Sequence, residues 1–180
     1  MKRFVISDLH FGHKNLAYIR EFTNVKEHDE TLINNWNKAI PKTNSMVYVL
    51  GDVTLHNTKH FASNILPRLN GERKILVSGN HDDKDMVNCF DSTYGVLVVR
   101  INDNRYVMTH VPIHPQELYT RWHGNIHGHL HNKFVFKDWQ DICGDTQGTI
   151  KDKRYINVSA EQLSYTPQLL ENVVTPLTLD

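Results

Sequence analysis

The chain has 180 residues, with 20 Lys+Arg balanced by 20 Asp+Glu and 39% hydrophobic residues. That composition excludes a disordered or fibrous chain, and residues 1–180 read as one domain able to bury roughly 70% of its unfolded surface. Formal neutrality gives no whole-molecule attraction to nucleic acid, so an anion must be drawn by a local site, and 12 histidines point to chemistry there.

Residues 3–7 open the chain as a short apolar, β-branched run of the kind that forms a buried strand. A short helix comes next, over residues 14–22. Leu32, Ile33, Trp36, Ala39 and Ile40 then recur at helical spacing, so residues 29–40 read as an amphipathic helix, capped by Asp29 and ended by Pro41. Residues 46–50 and 74–78 are further strands, separated by a helix over residues 59–69 that Pro67 tightens or ends. Residues 95–101 and 105–109 flank Asn102-Asp103-Asn104, a hairpin turn of residues that tolerate positive φ. Weaker strand signals lie at 125–127, 134–136 and 155–158, and residues 165–180 carry no readable pattern. Strands alternating with helices, then a strand-rich second half, predict an α/β or α+β layered sandwich.

The strand endings are the informative part of the chain. They are Asp8-Leu9-His10, Gly51-Asp52, Gly79-Asn80-His81-Asp82, Thr109-His110 and Gly128-His129-Leu130-His131. Open sheets place sites at the carboxyl ends of their strands, so these residues can converge. Singly, each cluster reads as a loop carboxylate, a cap or a solvated histidine. Together they supply carboxylate, carboxamide and imidazole donors suited to a pair of borderline divalent ions. If Asp8–His10 and His129–His131 are extended, i and i+2 aim alike, with Leu9 and Leu130 turned away. Gly51, Gly79 and Gly128 precede ligand candidates, where a missing side chain lets backbone approach closely.

These five blocks, in order, resemble the signature of the calcineurin-like metallophosphoesterases: D-x-H, GD, GNH-[DE], a single H, and GH-x-H. The second block, Gly51-Asp52-Val53-Thr54, lacks the D-R-G extension of the protein Ser/Thr phosphatase branch, which argues against a protein phosphatase. The resemblance implies two packed mixed β-sheets flanked by helices. It also implies one metal at Asp8, His10 and His131, a second at Asn80, His110 and His129, and Asp52 bridging both. His81, oriented by Asp82, would be the general acid, delivering a proton to the leaving oxygen after attack by metal-activated hydroxide. Two divalent ions are implied, Mn first, with Fe, Zn, Ni or Co also suited to O/N ligation. The substrate would be a phosphate ester, a phosphodiester of nucleotide or nucleic-acid type ahead of a monoester, in a site left open by the lack of room for a capping domain. A binding scaffold without catalysis, as in a retromer-type subunit, is the alternative from another class, and the presence of His81 weighs against it. A dedicated nuclease would need a basic groove, and the 151–154 run, Lys-Asp-Lys-Arg, reads as a solvated turn.

Other residues read more modestly. His13, Lys14 and Asn15 border the first ligands, and either line the pocket or form a solvated helix start. His127 is expected to be packed or to support a ligand from behind, and His114 either lines the substrate side or sits in a rigid proline-flanked loop. His28, His56, His60 and His123 default to surface or helix faces. Trp36 belongs to the core, while Trp122 and Trp139 could be core or pocket wall. Substrate choice would lie in the loops around His13, His56 and His114 and in the C-terminal segment. Cys89 and Cys143 form no paired motif, the first residues are too polar for a signal peptide, and no window reaches roughly 18 apolar residues. A soluble, cytoplasmic protein with no membrane contact and no obligate protein partner is therefore expected.

Overall fold

The computed structural model describes residues 1–55, 57–140 and 145–174, with Trp139 described in its backbone alone. The expectations for His56, Cys143, the Trp139 side chain and residues 175–180 lie outside the described residues. Strands β1 (Lys2–Ile6), β2 (Ser45–Val49), β3 (Arg73–Val77) and β4 (Ser92–Tyr94) form a parallel array. A second sheet joins β5 (Leu97–Ile101), β6 (Asn104–Thr109), β7 (Gly124–His127) and β10 (Tyr155–Asn157) in the order β10-β7-β6-β5. Strand β11 (Gln168–Leu169) adds antiparallel to β1. A separate ribbon pairs β8 (Phe136–Gln140) with β9 (Thr146–Lys151). The two packed mixed sheets agree with the expected architecture.

The strand runs are apolar without alternation because both faces of the first sheet are covered. Phe4, Ile6, Val47, Val49 and Leu76 face α2 (Val25–Ala39), meeting Leu32, Ile33, Trp36 and Ile40. The intervening Val5, Tyr48, Leu50, Ile75 and Val77 meet Val99, Tyr106, Met108 and Ile126 of the second sheet. Each large side chain buried in these layers contributes about 1.5–3 kcal/mol. The outer face of the second sheet carries a smaller cluster of Val107, Leu118 and Tyr155, against which the half-buried Trp122 packs.

Several boundaries differ from the sequence reading for local reasons. Helix α1 (Lys14–Ile19) is shorter than expected. Helix α2 starts before Asp29, at Asn24, whose side chain accepts the Glu27 N–H (2.9 Å) while Glu27 accepts the Thr23 N–H (2.8 Å). The segment expected as a helix over 59–69 is α3 (Thr58–His60), a π turn (Phe61–Ile65) and a 3₁₀ turn (Leu66–Arg68); Pro67 has no N–H to continue an α-helical ladder. Helix α4 (Leu170–Val173) ends the described chain. The hairpin turn is as expected, with Asn102 and Asp103 at φ 48° and 65° between the paired Ile101 and Asn104. The 134–136 strand is displaced to β8, and β4, β9 and β11 carried no readable signal. The 151–154 run does turn, with Lys151 and Lys153 exposed, but Asp152 is buried and receives the Arg154 guanidinium, Nη2 at 2.6 Å. His28, expected at a surface or on a helix face, lies on α2 and is fully buried. Among the described residues, no helix is long and apolar enough to cross a membrane.

Candidate metal centre

The strand ends converge where the two sheets meet. Ser7 bridges in parallel to Ser159, so β1 of the first sheet runs into the segment after β10 of the second. The His10 N–H donates to the Asp52 carbonyl (3.0 Å) and the Phe11 N–H to that of Val53 (2.9 Å), which extends the β1–β2 pairing past the last strand residues. The glycines permit this approach. At Gly51, φ is 82°, and an added Cβ would lie 2.5 Å from the Gly79 backbone and 2.6 Å from His110 Nδ1. A Cβ on Gly128 would come within 2.5 Å of Asp8 Oδ2.

Asp8, His10 and His131 form one group whose ligand atoms all lie within 4.8 Å of one another, and Asp52, His110 and His129 form a second. Asp52 Oδ2 is 3.3 Å from His110 Nε2 and 3.6 Å from His10 Nε2, so one carboxylate faces both groups. Asn80 Oδ1 lies 3.0 Å from His110 Nε2, which places the carboxamide with the second group. The seven residues of the expected ligand set are thus brought together. Asp8, His10, Asp52 and His110 form a buried floor, and His129, His131 and the exposed Asn80 form its rim.

The ligand pairs do not lie in extended backbone as expected from the sequence. Asp8, His10, Asp52, His129 and His131 have φ of 57°, 50°, 54°, 68° and 51°, all left-handed. Asp and His tolerate that region better than most residues, at a cost of order 1–3 kcal/mol each. Leu9 does turn into the core, whereas Leu130 is half-buried and borders a cleft of about 570 Å³ with Leu16, Ile19, His129 and His131. A cleft of about 620 Å³ elsewhere, between β10 and α4, contains none of the seven residues.

Hydrogen bonds set the imidazole orientations. The His110 Nδ1–H donates to the Leu50 carbonyl (2.7 Å), leaving Nε2 toward Asp52 and Asn80. The His131 Nδ1–H donates to Glu161 Oε1 (2.7 Å), leaving Nε2 toward Asp8, 4.0 Å away. His10 is different: Nδ1 and Nε2 are both buried without a hydrogen-bond partner. An unpaired buried imidazole nitrogen beside two carboxylates is what a bound cation would satisfy, and the mixed O/N donors suit a borderline divalent ion.

The charges are polarised accordingly. Burial lowers the His10 pKa to about 3. Burial alone would raise the pKa of Asp52, but His110, the His81 N–H and His10 hold it at about 2. Burial opposes protonation of His110, yet the Asp52 carboxylate outweighs it and raises the pKa. Asp8 is raised by burial, although His110 and His131 oppose the shift.

His81 lies at the rim, its ring centroid 5.7 Å from that of His10, and its backbone N–H donates to Asp52 Oδ1 (3.0 Å). Asp82 does not orient the His81 ring. Its carboxylate accepts the backbone N–H groups of Asp52 (3.0 Å), Val53 (2.9 Å) and Gly79 (2.8 Å), which locks the β2 and β3 endings together. His13 caps α1 by accepting the Leu16 N–H (3.2 Å), with its ring 5.7 Å from that of His10; Lys14 and Asn15 are exposed. His127 is buried with its Nδ1–H on the Gly128 carbonyl (2.8 Å), and His114 caps the 3₁₀ turn Pro115–Leu118. His60 is exposed, while His123 is half-buried against the Tyr106 ring. The sequence pattern did not mark Glu161 or Arg20. Glu161 comes after the 155–158 strand signal as the other acidic residues come after theirs, and that ending was not read as a site; nothing local marks Arg20.

A family model described as calcineurin-like phosphoesterase matches residues 1–172. An uncharacterized protein of Methanocaldococcus jannaschii is 34% identical over 178 residues, covering 96% of this chain and 89% of the relative. The gene 66 protein of Mycobacterium phage L5 is 41% identical over 86 residues, 46% of this chain and 40% of the phage protein. Among solved structures, a protein of unknown function from Aquifex aeolicus superposes with a TM-score of 0.67 at 28% identity, across 92% of this chain and 94% of that one.

Proposed function

The chain belongs to the calcineurin-like phosphoesterase family, and from that premise we propose that it hydrolyses a phosphodiester of nucleotide or nucleic-acid type at a two-metal centre. The observation that carries this reading is Asp52, whose Oδ2 faces His10 and His110 at 3.6 and 3.3 Å from between the two donor groups. Asp8, His10 and His131 would hold one divalent cation, Asn80, His110 and His129 the other, and Asp52 would be shared. Mn fits first, with Fe, Zn, Co or Ni also compatible with these donors. Bound cations supply Lewis acidity at the phosphoryl oxygens and acidify water.

The protein's own part is positional. The buried floor fixes the donors and excludes bulk water beneath them, so charges there act in a medium less polarisable than water. The rim, with Asn80 exposed and His131 half-buried, is open to solvent, and an open rim would accept the two substituents of a diester. His81, at that rim and with the Asp82 carboxylate engaged by backbone N–H groups, would deliver a proton to the leaving oxygen.

The test is hydrolysis of an aryl phosphodiester beside the matching monoester in Mn²⁺, with a chelated control and His81→Ala. The expected result is chelator-sensitive turnover, faster on the diester, that falls by about 10²–10⁴-fold in His81→Ala. Wild-type rates in the variant would remove His81 from proton transfer, and a faster monoester would overturn the ester class.

A further inference from the structure

A continuous chain of polar groups, buried at its centre around Arg20 and His28, runs from the helical layer to the metal-site floor. The Gly12 N–H donates to both Asp29 oxygens (3.1 and 3.0 Å), and the His28 Nδ1–H to Asp29 Oδ1 (2.8 Å). Arg20 Nη1 donates to His28 Nε2 (2.9 Å) and to the Leu9 carbonyl (3.2 Å), and Nη2 to the Asp8 carbonyl (2.7 Å). Arg20 Nε donates to Glu161 Oε1 (2.8 Å), the oxygen that also accepts from His131 Nδ1 (2.7 Å). The Arg20 side chain is 1% exposed and that of Glu161 16%.

Taking a guanidinium and a carboxylate out of water costs several kcal/mol per ion, and packed apolar residues would serve stability as well or better. What apolar residues could not do is grip two consecutive carbonyls. Asp8 and His10 sit at left-handed φ of 57° and 50°, and Arg20 holds the Asp8 and Leu9 carbonyls between them. Through Glu161 the same guanidinium reaches the third member of that donor group, His131.

We infer that Arg20 and Glu161 are positioning residues that set Asp8, His10 and His131 as one cation site, leaving the Asn80, His110 and His129 site to other supports. The inference rests on the two-metal reading. Carboxylates behind ligating histidines fix ring orientation and raise basicity, and their loss costs 10–100-fold in metal affinity, on the order seen where such partners are removed. The second donor group has separate anchors, since His110 Nδ1–H donates to the Leu50 carbonyl and the Asp52 carboxylate accepts the His81 backbone N–H.

The experiment is calorimetric titration of the metal-free protein with Mn²⁺ and, separately, Zn²⁺, for wild type, Glu161→Ala, Glu161→Gln and Arg20→Lys. The expected wild type takes up two ions. Glu161→Ala weakens one of them by about 10–100-fold and leaves the other within about twofold. Glu161→Gln keeps an acceptor for His131 without the charge and falls between, and it carries the test should Glu161→Ala not fold. Arg20→Lys, with a single ammonium in place of a fork, also weakens one ion selectively. Unchanged affinities in every folded variant, or equal weakening at both sites, overturn the inference while leaving the two-metal reading intact. A wild type that binds no ion overturns that reading and the inference with it.

Discussion

At the residue scale, Asp82 is the instructive case. A motif places its carboxylate beside His81, yet the fold uses it to collect three backbone N–H groups from two strand endings. Removing an acceptor shared by buried donors is costly, so Asp82→Ala is expected to lower unfolding free energy by at least ~1–3 kcal/mol in urea titrations. An unchanged urea midpoint with a reduced rate would instead return Asp82 to the role of orienting His81. His127 gives a pH prediction. Burial holds its pKa down to about 4, against an ordinary value of 6.5. The unfolded chain therefore binds the extra proton between those values, and this stability is present above pH 6.5 and lost as pH falls toward 4, by at most ~3 kcal/mol. In metal-free protein, urea midpoints of His127→Gln should fall less steeply than those of wild type across that window; parallel curves would assign the loss to other groups.

At the element scale, legibility tracked burial. The parallel strands read clearly because both faces are covered, and the Leu32–Ile33–Trp36–Ile40 stripe marked α2 because it meets the sheet. The first turns of α2 carry few apolar residues, so the apolar stripe alone puts the start five residues late, at Asp29 instead of Asn24. That shift separates two variants. Asn24→Ala should cost ~1 kcal/mol through the lost cap, checked by thermal unfolding. Asp29→Ala should spare the helix start and release Gly12 and His28, visible as faster amide exchange at Gly12. Strand β8 has only a weak and displaced signal and β9 none, for the opposite reason: β9 is exposed along its length, as are the described side chains of β8, so no apolar face imposes a period.

At the scale of the molecule, the two sheets form the site only because their endings touch. Gly51, after β2, meets His110, after β6, and Gly128, after β7, meets the Asp8 carboxylate, after β1. A side chain at Gly51 would be strained at φ 82° and would collide with backbone that cannot turn aside. Gly51→Ala should therefore abolish uptake of both ions together, with folding monitored by circular dichroism, whereas Glu161→Ala should affect one ion alone. Retention of two-ion binding in Gly51→Ala would show that the sheet ends have room to separate.

The donor residues that the fold gathers are legible in the sequence alone, because strand runs and the Gly, Asp, Asn and His residues that end them are local patterns written at short spacing. Equally legible are the packing of Trp36 in the core and the hairpin turn at Asn102-Asp103, as both depend on neighbouring residues. That Asp82 serves backbone, that His28 is buried and that Arg20 joins Asp8 to His131 are matters of three-dimensional packing. Arg20 and Glu161 are 141 positions apart, and neither lies in a motif. A buried charge finds its partner through space, after the sheets and helices have closed around it, so no spacing along the chain could announce the pair.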